Sequence, residues 1–130
     1  MAKQLLYISA LLMLLCVPTI TNAQLRNIDD KIWEFVKKEY PTDEREQEYQ
    51  FKKQKDAFVS LYGVKDYEVK RFAEKKYFDD YIKQLDTYNK QVEAKEFMQN
   101  ATNKKAKESA VKKYPGDYEA QKAAYELLIK

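Results

Sequence analysis

A repeat constrains this chain more than any other feature. Val36-Lys37-Lys38-Glu39-Tyr40-Pro41-Thr42-Asp43, Ala73-Glu74-Lys75-Lys76-Tyr77-Phe78-Asp79-Asp80 and Ala110-Val111-Lys112-Lys113-Tyr114-Pro115-Gly116-Asp117 align without gaps at a spacing of 37 residues. Gln47, Gln84 and Gln121 follow each aspartate by four residues, and Phe51, Tyr88 and Tyr125 follow four later. A period of this length with helical spacing inside it is the mark of stacked helical hairpins, and three units are about the minimum that stand alone. A three-unit stack of this size can equally close into a compact bundle.

The residue chemistry accounts for the pattern. Proline cannot continue a helix, so Pro41 and Pro115 mark helix ends. Asp43, Asp80 and Asp117 suit the N-cap of the helix that follows, and Glu46 stands three after Asp43 as in a capping box. Lysines just before each turn face the negative end of the preceding helix. The expected helices cover 27–39, 43–62, 65–77, 80–99, 103–114 and 117–129, in units of about 27–63, 64–100 and 101–130. Ile28, Ile32, Phe35 and Val36 form one stripe of the first helix, and Val69, Phe72 and Ala73 of the third. Gln47, Phe51, Phe58 and Leu61 are expected to face inward from the second helix, and Tyr81, Leu85, Tyr88 and Val92 from the fourth. Tyr125, Leu128 and Ile129 close the last. Gly63 reads as a C-cap, and 100–103 as a loop. Phe78-Asp79 replaces the proline turn, so helices 65–77 and 80–99 could join.

The first 23 residues have another character. Lys3 precedes an apolar run from Leu5 to Val17, and the segment ends Thr21-Asn22-Ala23. That is the order of a cleavable signal peptide, with the cut expected between Ala23 and Gln24. The run is short for a span that needs roughly 20 residues. Leu15 before Cys16 is not the small residue a lipidation signal uses. Cleavage removes the only cysteine and lowers Lys+Arg from 24 to 23 against 21 Asp+Glu. The expectation is a single domain over 24–130, periplasmic or extracellular, without disulfides or membrane insertion. Its near-balanced charge gives no pull toward nucleic acid.

Gly116-Asp117-Tyr118-Glu119-Ala120 followed by Tyr125 resembles the turn and second-helix start of a tetratricopeptide repeat. The period of 37 against about 34, and Gln121 where that pattern has alanine, separate the chain from that family. Tyr114-Pro115-Gly116-Asp117-Tyr118-Glu119-Ala120-Gln121 is also similar to an aromatic-Pro-x-Asp-Tyr-Glu-x-Gln motif of uncharacterised exported bacterial helical proteins. That resemblance implies export and helix, and no activity.

With no histidine anywhere and no cysteine after residue 23, the mature chain lacks the side chains for Cys/His zinc sites and for Ser-His-Asp or Cys-His catalysis. Two isolated glycines, Gly63 and Gly116, make no phosphate loop. Asp79-Asp80 beside Tyr77 and Tyr81 could act as an acid/base pair, but a pair at a helix start is simply explained by capping. The same applies to Asp29-Asp30. No catalytic residue, metal ligand or cofactor is assigned. Asn100-Ala101-Thr102 matches a glycosylation sequon.

Gln47, Gln84 and Gln121, with Tyr40, Tyr77 and Tyr114, form the candidate interaction face. Buried glutamines are expected to tie the second helix to the turn or helix of a neighbouring unit; exposed ones would line a groove for a peptide or glycan. The expected function is that of a non-enzymatic module binding a protein or peptide, since stacked hairpins create extended surfaces. The alternatives are a self-associating structural or chaperone-like protein and a carboxylate-based hydrolase.

Overall fold

The protein is all-α. The computed structural model describes residues 21–130, so the apolar run and Cys16 lie outside the described residues. Six helices follow in order: α1 Asn22–Glu39, α2 Glu44–Tyr62, α3 Tyr67–Lys76, α4 Tyr81–Asn100, α5 Lys104–Lys113 and α6 Tyr118–Leu128. The chain divides into two compact units, Met1–Asp30 and Lys31–Lys130. Of the first, residues 21–30 are described. They hold a reciprocal capping box: the Gln24 N–H donates to Thr21 Oγ1, and the Thr21 N–H donates to Gln24 Oε1. The expected Ala23–Gln24 cleavage bond lies inside this box, with both residues exposed. No described helix is long and apolar enough to cross a membrane.

Within Lys31–Lys130 the repeat is visible as structure. Asp43, Asp80 and Asp117 each cap the second helix of a unit by accepting from the backbone N–H three residues on, in Glu46, Lys83 and Ala120. Asp66 and Asn103, also 37 apart, cap the first helices α3 and α5 in the same way. The sequence points to no cap at Asp66 or Asn103; one unit back the same register falls on Asp29, but Asp29 lies inside α1, so the capping expected of Asp29-Asp30 is not made there. α3 and α5 are each 10 residues long. α1 instead runs upstream of Asp29 to Asn22, as its own cap at Thr21 permits.

The structure decides two points about the helix ends. Helices α3 and α4 do not join: Tyr77 ends α3 with its N–H on Ala73 O, and Asp80 starts α4. Gly63 is the C-cap of α2, as expected, at φ −83°, an ordinary right-handed value that uses none of glycine's left-handed freedom. The glycine whose freedom is used is Gly116 at φ +79°. It completes a turn with Pro115 before it and Tyr114 O accepting from the Asp117 N–H.

α4 packs against α2, α3 and α6, and α5 packs against α6. Successive second helices therefore stack on one another, with α4 between its neighbours. The buried residues of α4 are Gln84, Thr87, Gln91, Ala94 and Met98. Tyr81, Leu85, Tyr88 and Val92, expected inside, are only half-buried. The buried set alternates steps of three and four, the spacing of a coiled-coil seam. In α2 the same spacing buries Gln54, Ala57 and Leu61, while Phe51 and Phe58 flank the seam. Burying a Val, Leu or Ile stabilises by roughly 1.5–3 kcal/mol, and alanine by much less. Among the described residues five of the eleven buried apolar side chains are alanines, so the core also draws on half-buried rings and satisfied amides. Trp33 and Phe51, for example, stack with centroids 4.4 Å apart. At the C-terminal end Met98, Ala106, Ala110 and Tyr125 form a cluster closed by Phe97, Ala101 and Ala124, and the Tyr125 hydroxyl accepts from the Asn103 N–H.

Candidate functional site

The glutamine series lies inside the fold. Gln84 and Gln121 are buried and Gln47 is half-buried. Each Nε2 donates to the carbonyl of the repeat tyrosine seven residues earlier: Gln47 to Tyr40 O, Gln84 to Tyr77 O and Gln121 to Tyr114 O, at 2.5–2.7 Å. The last carbonyls of a helix lack intrahelical donors, and these amides supply them. The three amides thus clamp each turn and are not a row of open donors. The tyrosines of the series remain half-buried, their rings partly at the surface.

A second glutamine pair carries the links between units, and it was missed in the sequence. Gln54 donates to Asp80 Oδ1 and accepts from the Ile82 N–H. Gln91, 37 residues on, donates to Asp117 Oδ1 and accepts from the Tyr118 N–H. Each reaches from one second helix to the capped start of the next and satisfies a donor that would otherwise be orphaned. The equal spacing of Gln54, Gln91 and Leu128 was the available signal. Leu128 breaks the series, and is exposed.

These contacts frame a cleft of about 350 Å³ between the first two turns, with Phe35, Glu39, Tyr40, Tyr77, Phe78 and Asp79 on its wall. Phe78 is 81% exposed. The first and third units carry proline at its position. The second turn closes with the same bond as the third, Asp80 N–H to Tyr77 O, but without a positive-φ residue. Its Phe78 carbonyl is reached by Gln84 as well. The turn needs only the backbone of Phe78, so the ring has no internal role there.

Asp80 is committed to the fold. Burial works to raise its pKa, but hydrogen bonds from the Gln54 amide, the Lys83 N–H and the Lys83 ammonium outweigh this and hold it below the ordinary carboxylate value. Lys83 Nζ lies 3.1 Å from its carboxylate. Asp79, its neighbour, is exposed. Burial pushes the Tyr81 hydroxyl up, and the negative charges of Asp79 and Glu74 push it further. A carboxylate held ionised by a cap, an amide and a lysine is a poor proton donor. Asp79 and Asp80 therefore differ in environment, but only one is available for chemistry. Among the described residues no group of His, Cys, Asp and Glu is placed to hold a metal ion.

Comparison with protein-family models, curated proteins and solved structures returns no match. The functional reading therefore rests on this geometry.

Proposed function

We propose that the protein is an exported, non-enzymatic helical-repeat module that docks a segment of a protein or peptide in the cleft between the Tyr40 and Tyr77 turns. The observation that carries this reading is Phe78: a large ring 81% exposed at the rim of a cleft, where the turn requires no ring. Exposed aromatics beside a concave site are favoured anchors of protein interfaces. The glutamine amides hold the two turns in place, and the rings of Tyr40, Tyr77 and Phe78 provide the contact surface. Export follows from the order of charge, apolar run and small residue in the first 23 residues.

The test is capture from the native envelope or secreted fraction with the full chain and with Phe78→Ser. The expected outcome is a partner retained by the first and lost by the second, with unchanged thermal melting. Equal recovery by both proteins would rule out the cleft.

A second reading, self-association, is favoured by a different observation. Leu127, Leu128 and Ile129 are 70%, 55% and 49% exposed in succession at the end of α6. Sedimentation velocity over a concentration series decides it: a dimer abolished by Leu127→Lys supports self-association, and a monomer throughout removes it.

A further inference from the structure

We infer that the cleft between the first two turns accepts a basic side chain, lysine or arginine, carried by an extended peptide; this rests on the reading of the cleft as a docking site. The wall bears three carboxylates, Glu39, Asp79 and Asp80, against one lysine, Lys83. Lys83 is already taken by Asp80. Among the described residues neither Glu39 nor Asp79 has an ion pair within 4.0 Å, and both are exposed at the rim. α1 ends at Glu39, and Lys37 and Lys38 of its last turn offset the partial negative charge of its carbonyls, so Glu39 and Asp79 themselves carry the negative charge of the rim. The partial positive charge at the start of α4 is met by the Asp80 cap.

Aromatic rings lie beside these charges. Tyr77 already has Lys76 and Lys83 ammonium groups 5.7 and 5.8 Å from its centroid, which shows that cations sit at these faces within the chain itself. No such partner is recorded over Phe78 or Tyr40 among the described residues. A lysine or arginine entering between them places its methylene stem on the rings and its charge between Glu39 and Asp79. The volume, about 350 Å³, is at the low end of ligand clefts. It suits one or two side chains and excludes a whole helix. An acidic peptide, a nucleic acid or a phosphate surface would meet the same two carboxylates as repulsion.

The experiment uses the full chain, ¹⁵N-labelled, titrated with acetylated pentapeptides Gly-Leu-Xaa-Leu-Gly in which Xaa is Arg, Lys, Gln or Glu. The expected result is saturable shifts of the Tyr77–Lys83 amides with the Arg and Lys peptides, weaker ones with Gln and none with Glu. Affinity for the Arg peptide falls about two- to fivefold in each of Glu39→Gln and Asp79→Asn, the range of an exposed charge pair. Both positions are exposed, so both variants fold. Equal binding of the Arg and Gln peptides overturns the basic-side-chain inference and leaves the docking reading standing. Failure of every peptide to shift these amides overturns the inference too. The docking reading is then judged separately by whether Phe78→Ser loses the captured partner.

Discussion

The two junctions between successive second helices use the same register and different chemistry. At the first, α2 on α4, the Phe58 ring meets Tyr81 edge-on with centroids 5.3 Å apart. At the second, α4 on α6, the positions 37 residues on are Lys95 and Tyr118, and the ammonium stands 5.1 Å from the ring centroid. Lys95 also pairs with Asp66 at 2.8 Å and Glu68 at 3.3 Å, and Glu68 accepts from the Tyr118 hydroxyl. Beneath both contacts lies the same glutamine clasp, Gln54 at one and Gln91 at the other. The backbone arrangement is therefore set by the buried amide, and the flanking pair is exchangeable: a ring contact at one junction, a charge network at the other.

The largest effect is expected from removing the shared element. Gln91→Met keeps the volume but leaves the Tyr118 N–H and Asp117 without their partner. Leaving a buried donor unsatisfied costs roughly 1–3 kcal/mol, and urea unfolding measures it. Gln54→Met is expected to cost less, because its bonds, at 3.0 and 3.2 Å, are longer than the 2.8 and 2.6 Å of Gln91. Equal and negligible losses would mean that the clasp does not set the stack.

Phe58→Ala comes next. It removes half-buried area and a ring pair, for about 2 kcal/mol, with little dependence on salt. Lys95→Met is expected to cost under about 1 kcal/mol, and the loss should shrink at high salt, where the wild-type network is screened. Lys95→Phe is the sharper variant, since it gives the second junction the pairing of the first. A smaller salt response than that of the wild type, measured in urea at low and high ionic strength, is the expected result, since the Lys122–Glu93 pair at the same junction remains. A salt response like that of the wild type would place the dependence elsewhere.

The smallest effects are those of pH. Asp66 is held below its ordinary pKa first by the Lys95 hydrogen bond, and Asp80 is also lowered. A depressed carboxylate contributes stability above its unfolded pKa, near 4, and loses it as pH falls through the folded value. Asp80→Asn should flatten the acid limb at the first junction and Asp66→Asn at the second, read from melting temperature against pH. Lys95 is raised, chiefly by its hydrogen bond to Asp66. Its contribution is complete below the unfolded value near 10.4 and disappears as pH rises through the folded one. Lys95→Phe should remove that alkaline loss.

Local chemistry made much of the fold legible. Asp43, Asp80 and Asp117 are caps because a short carboxylate after a helix stop satisfies N–H groups a few atoms away, whatever surrounds it. The lysines before each turn and the breaks at Pro41 and Pro115 are local in the same sense. The buried face of α4 was not legible. Hydrophobicity pointed to Tyr81, Leu85, Tyr88 and Val92, yet Gln84, Thr87, Gln91, Ala94 and Met98 are buried, because α4 has neighbours on several sides and its stacking seam takes amides and small residues. Of the docking face proposed above, the sequence singles out Tyr40 and Tyr77, whereas Phe78 stands out in it only as a missing proline.

By itself, then, the sequence determined the helical class, the 37-residue period, the turn positions and the caps, since each depends on contacts within a few residues. The tertiary structure alone decided that one glutamine series clamps turns while another joins units, and that the second turn opens onto a cleft. Those outcomes depend on which side chains meet across 26 to 28 residues of chain, a relation that propensity does not encode and that the spacing of Gln54 and Gln91 marks without naming the partners.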